Sequence, residues 1–315
     1  MNLPRIPASL VTLAVLGVTG IYLFATAPEP LGEGRGGAAD IPVETLFRML
    51  DAENASVRRI YTAEIVTPGQ KQGLKFDEAW KSKHVHAGPL PALLLRETAN
   101  RLQQRVPDLS LFLGSAYPIE RANLFKGAQT AYFEQMEQDR QPRFFTDDST
   151  GRHTAMFPDL ASAPACVSCH NGHPKSPRTD WVKDDVMGAT TWSFPRAYVS
   201  SEEMIDILGH YRKAALDAYA SYLAKIEDFD ADARPQMGEH WPKDGRYVPD
   251  LATFTARVES TNAERSLALL LHAHDAPVSP AAPAQGTTTR AASGDGAPAP
   301  GATAASAKAG AGAAP

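Results

Sequence analysis

The chain holds only two cysteines among 315 residues, which excludes a framework of several disulfides. Basic clusters are missing as well. Lysine and arginine number 31 against 36 acidic residues, a formal net charge of −5, so no surface is prepared for a nucleic-acid backbone. There is no internal repeat, no phosphate-cradling glycine loop, no Ser-His-Asp order and no pair of carboxylates spaced for acid–base work. No catalytic set is legible, and the expectation is a protein that is not an enzyme. Long apolar runs are scarce: one stretch, Ile6 to Ala27, is uncharged over 22 residues.

What is present is concentrated. The two cysteines sit together as Cys166-Val167-Ser168-Cys169-His170, the spacing by which c-type haem is attached. Two thiols three apart can each form a thioether to a haem vinyl group, and the histidine that follows becomes the proximal iron ligand. Two other chemistries use such residues. A thioredoxin-like redox pair usually opens a helix after a buried strand, whereas Ala161-Ser162-Ala163-Pro164-Ala165 reads as a loop. A zinc site could take Cys166, Cys169 and His173, but a second well-spaced ligand pair is missing. The cofactor expected is one covalently attached haem c, on Cys166, Cys169 and His170.

In bacteria haem c is attached outside the cytoplasm, and the first residues fit export. The run Ile6 to Ala27 is long enough to cross a hydrocarbon core of about 30 Å. Arg5 precedes it and Glu29 and Glu33 follow, which orients the bulk of the chain to the periplasm. Ala25-Thr26-Ala27 has the form of a cleavage site, but Pro28 opposes cleavage. The expectation is a single-pass anchor in the inner membrane, the alternative a soluble periplasmic protein. At the other end, residues 276–315 are almost all Ala, Pro, Gly, Ser and Thr and predict disorder. The chain then divides into a membrane anchor at 1–28, a linker at 29–41, a haem-binding domain at 42–228, a C-terminal helical extension at 229–275 and the tail.

Within the domain, apolar residues at helical spacing predict helices over 42–66, ended by Thr67-Pro68-Gly69, and over 90–105, 127–138 and 201–227. A last helix is expected near 256–272. Strands are expected at 109–113, at 143–145 and 153–157 around an Asp147–Gly151 turn, and at 185–194. The fold class is α+β, a small antiparallel sheet flanked by helices.

The string from Cys166 to Gly188, CVSCHNGHPKSPRTDWVKDDVMG, resembles a family of single-haem bacterial proteins whose haem-c domain is PAS-like and described as haem-sensor-like. Gly88-Pro89-Leu90-Pro91-Ala92 and Tyr117 to Asn123 fit the same picture, and the resemblance covers about residues 42–228. Lys183-Asp184-Asp185 departs from it, standing where the family has Gly-Asp. The resemblance implies a PAS-like sheet carrying one haem. It also places His86, five residues before Pro91, where relatives offer a distal ligand. His84, His153, Met156 and Met187 are the other candidates for that position, with an open site as a further alternative. His173 is expected either to shield the haem edge or to cap a turn. Arg178 and Lys175 are candidates for a propionate, though plain surface charges fit them better. Asn171 is expected to fix the loop, and Trp181 and Trp192 to serve as core or pocket wall. His210, His240, His272 and His274 show no ligand spacing.

Two functions follow from these expectations. One is a membrane-anchored periplasmic haem module that senses redox state or a small gas and relays it to a signalling partner. The other is a monohaem electron carrier that docks with a redox partner. The apolar face of 201–227 reads as packing, with a homodimer as its alternative.

Overall fold

The computed structural model describes residues 41–238, 241 and 246–262. The expected anchor, the linker up to residue 40, the tail, and His240, His272 and His274 lie outside the described residues. No helix among the described residues is long and apolar enough to cross a membrane.

Helix α1, Val43–Arg59, buries Leu46, Phe47, Leu50 and Val57 along one stripe. The break expected at Thr67-Pro68-Gly69 does not occur. The chain passes through a π-helical segment, Ile60–Val66, and stays helical over Thr67–Lys71. Pro68 has no N–H to give the Glu64 carbonyl four residues back. The Trp241 indole N–H donates to that carbonyl instead, at 3.0 Å. The wider turn also lets both the Thr67 amide and its hydroxyl (2.8 Å) reach the Thr62 carbonyl.

A four-stranded antiparallel sheet forms the centre. Its strands are β1 (Ser110–Gly114), β2 (Arg143–Asp147), β3 (Arg152–Leu160) and β4 (Val186–Phe194), in spatial order β1-β4-β3-β2. The β2–β3 hairpin turns where expected: the Asp147 carboxylate accepts the Ser149 amide at 2.9 Å, and Gly151 takes φ +67°. Helices cover both faces, so β4 is buried almost throughout. On one face, Ala155, Phe157, Trp192 and Phe194 meet α1, helix α2 (Pro91–Arg105) and a long later helix. On the other, Phe133 and Met136 of α3 (Ala128–Asp139) cover Met156 and Ala189. The mixed architecture, helices about a small antiparallel sheet, agrees with the α+β expectation.

A short helix, α4 (Pro164–Gly172), follows β3 directly. The long helix α5, Ser201–Glu227, starts where the Ser200 hydroxyl accepts the Glu203 amide at 3.1 Å. Its stripe of Leu208, Tyr211, Ala215, Tyr219 and Tyr222 is buried inside the chain's own core. The last described helix, 251–262, begins earlier than the expected 256 because the Asp250 carboxylate caps it, accepting the Thr253 amide at 2.7 Å. The described part of the C-terminal extension does not stand apart: Phe229, Trp241, Val248 and Phe254 join the same core as Leu46 and Trp192.

Candidate haem-attachment site

The CxxCH motif, Cys166 to His170, sits on α4. The segment read as a loop ends at Ala163, and Pro164 and Ala165 form the first helical turn. Proline suits this place, because the first helical N–H needs no intrahelical partner and the ring fixes φ near the helical value. Cys166, Cys169 and His170 stand at i, i+3 and i+4, so all three share one helix face. Both cysteines are unpaired thiols, Cys166 half-buried and Cys169 exposed, and α4 fully buries none of its residues. The rest of the chain therefore does not fully enclose this face.

The His170 ring meets Trp181 edge-on, with centroids 6.4 Å apart at 88°. Burial pushes the His170 pKa below its ordinary value, although the Asp159 carboxylate pulls the other way. The imidazole is neutral at neutral pH, the form that binds iron. Its Nδ1 and the Trp181 Nε1 are sealed from solvent without protein hydrogen-bond partners. Burial raises both cysteine thiols above their ordinary range. A thioredoxin-type nucleophile needs the opposite shift. Strand, short connection and helix thus have the thioredoxin-like order, but the thiols lack its electrostatics.

The residues after the motif hold it in place. Asn171 donates from Nδ2 to the Trp181 carbonyl and accepts the Trp181 amide on Oδ1, both at 2.9 Å, as expected of a loop-fixing asparagine. His173 accepts the Lys175 amide at 3.2 Å and lies 3.5 Å from Glu78. The Arg178 guanidinium lies 3.9 Å above the Trp181 ring and pairs with Asp180 (2.7 Å), Asp185 (3.4 Å) and Glu137 (3.7 Å). Its charge is already matched. At Lys183-Asp184-Asp185 the turn keeps a glycine-like geometry, since Asp184 takes φ +68°, a region aspartate tolerates better than most residues. Gly188 is dictated by contact: a Cβ there would lie 2.4 Å from the Gly114 carbonyl oxygen on β1.

The candidate second ligands are scattered. His86 is half-buried, 3.5 Å from Asp230 and against the Phe229 ring at 5.4 Å, beyond the end of α5. His84 is exposed. His153 lies seven residues before Leu160, about 23 Å along β3 from the end that leads into α4. Met156 is enclosed with Phe133 on the α3 side. Met187 shares a small cluster with Ala161 and Trp181, against which Tyr117, Cys166 and Val167 pack. Among the described residues no group of three or more His, Cys, Asp or Glu side chains is placed to hold a metal ion. Iron in a porphyrin needs no such group, because the macrocycle supplies four of its ligands. The two cysteines on one helix face, the histidine beside them with its pKa lowered by burial, and the unpartnered nitrogens of His170 and Trp181 fit haem c.

Sequence reasoning passed over one pair. Arg58 of α1 binds Asp159 of β3 at 2.8 Å and lies 3.5 Å from the Thr190 hydroxyl. Nothing in spacing could have found two partners 101 residues apart.

The architecture is that of a mixed α/β domain presenting a CxxCH helix at the end of a central strand. Residues 41–195, just under half of the chain, match the model of the Tll0287-like family, a domain of unknown function. That span ends at the close of β4 and includes all of α4. No curated protein and no solved structure matches the chain.

Proposed function

We propose that this chain is a periplasmic, membrane-anchored protein that carries one haem c in a PAS-like domain and acts as a haem-based redox or gas sensor module. The observation that supports the proposal is the placement of Cys166, Cys169 and His170 on one face of α4, with burial favouring the neutral form of the imidazole. Cys166 and Cys169 hold the group by thioethers, and His170 is its proximal ligand. The haem, when bound, supplies a one-electron iron couple and a site for a diatomic ligand. The rest is done by the chain: Asn171 and Trp181 fix the ligand helix, and Met187 and Tyr117 wall the site. His86 remains the proposed distal ligand, and a signalling or redox partner protein receives the output. We assign no catalytic residue.

The electron-carrier reading is favoured by the exposure of Cys169, which would leave one haem edge open to a redox partner. Absorption spectra of the haem-loaded full chain, reduced and then exposed to carbon monoxide, separate the two. A sensor gives a reduced band that shifts with carbon monoxide, through a displaceable or absent sixth ligand. An unchanged low-spin band rejects the sensor reading in favour of the carrier.

A further inference from the structure

Arg178 reads from the sequence as a surface charge, yet its guanidinium is a meeting point of several parts of the chain. Each of its nitrogens faces a different carboxylate. Nε meets Asp180 of the loop after α4 at 2.7 Å, Nη2 meets Asp185 just before β4 at 3.4 Å, and Nη1 meets Glu137 of α3 at 3.7 Å. Its central carbon lies 3.9 Å from the centre of the Trp181 ring and 5.5 Å from that of Tyr117. A planar fork can meet three partners along its edges while one face lies on a ring, whereas an ammonium is a point charge without a plane.

The ring that Arg178 covers is the seat of α4. Trp181 is 2% exposed, and Cys166 and Val167 of α4 pack against the cluster it forms with Ala161 and Met187. Asn171 binds both backbone groups of Trp181, and His170 meets its ring edge-on. A buried indole N–H usually finds an acceptor that fixes the ring. The Trp181 Nε1 has none in the protein. Hydrogen bonds therefore hold the Trp181 backbone, while packing and the guanidinium lying over it hold the plane of its indole.

We infer that Arg178 is a positioning residue. Its three carboxylate partners fix the guanidinium, the guanidinium fixes the Trp181 indole, and the indole sets the orientation of the His170 ring on α4. The inference rests on the haem reading only for calling His170 an iron ligand, whose ring orientation such neighbours set. The chain of contacts is a property of the fold and is testable without haem.

The test is nuclear magnetic resonance of the haem-free full chain with labelled histidine, in which His170→Gln identifies the His170 ring signals by their loss. An indole displaces the resonances of a ring set edge-on against it, so these signals should stand apart from those of an exposed histidine such as His84. Arg178→Gln and Arg178→Lys should both remove most of that displacement. The signals of His153, on β3, should keep their parent positions and report an intact sheet. The lysine variant is the sharper of the two, since it keeps the charge and lacks the plane. His170 signals unchanged in Arg178→Lys would overturn the inference, because charge alone would then suffice. Movement of His153 as large as that of His170 would overturn it too, since the effect would then be a general loosening. The expected displacement in a chain that takes up no haem would sustain the inference and reject the haem reading alone.

Discussion

Burial depresses the His170 pKa from the ordinary 6.5 and so favours the neutral imidazole that the proposed iron ligation requires. The same shift fixes a pH dependence for the haem-free chain. Below about pH 6.5 the unfolded state takes up a proton that folded His170 refuses, so stability is complete above that pH and falls on acidification. The His170 contribution to the slope is at most about 1.4 kcal/mol per pH unit. Urea midpoints at pH 7.5 and 5.5 should show this loss in the parent chain and a smaller one in His170→Gln. Equal losses would mean that His170 titrates normally. At this scale the motif was fully legible, because thiol and imidazole spacing is a property of neighbouring residues. The Arg58–Asp159 pair was not, because its members come from different elements.

At the scale of elements, the positions that read cleanly are those whose signals are local. Helix α5 opens and closes where its Ser200 cap and apolar stripe place it, and the β2–β3 hairpin turns at Asp147 and Gly151. Proline misled twice. Pro68 reads as a helix end, yet the Trp241 indole, 177 residues away, serves the carbonyl that proline abandons. Pro164 reads as loop, yet it is the first residue of α4. Glycine is clearer in hindsight: Gly188 of the Val-Met-Gly string is needed because β1 and β4 approach so closely at Gly114. Gly188→Ala places a methyl group against that backbone oxygen and should cost about 1–3 kcal/mol by forcing the strands apart. A urea titration checks this, and an unchanged midpoint would mean that the strand pair yields freely.

On the scale of the whole molecule, helices α1, α2 and α5 bury one face of the sheet and α3 the other, and α4 is left at the end of β3 with none of its residues fully buried. Composition and periodicity disclosed the α+β class, since each element carries its own pattern. They did not disclose that residues beyond 228 complete the core, because Phe229, Trp241 and Phe254 meet α1 and α5 only once the chain has folded back. The central claim, one haem joined covalently at Cys166 and Cys169, is tested most directly by the intact mass of the full chain. The chain would be produced with haem c maturation machinery and measured under denaturing conditions. The account predicts the mass of the polypeptide plus one haem, and of the bare polypeptide when Cys166→Ala and Cys169→Ala are combined. A bare mass for the parent chain, or a haem retained by the double variant, would contradict it.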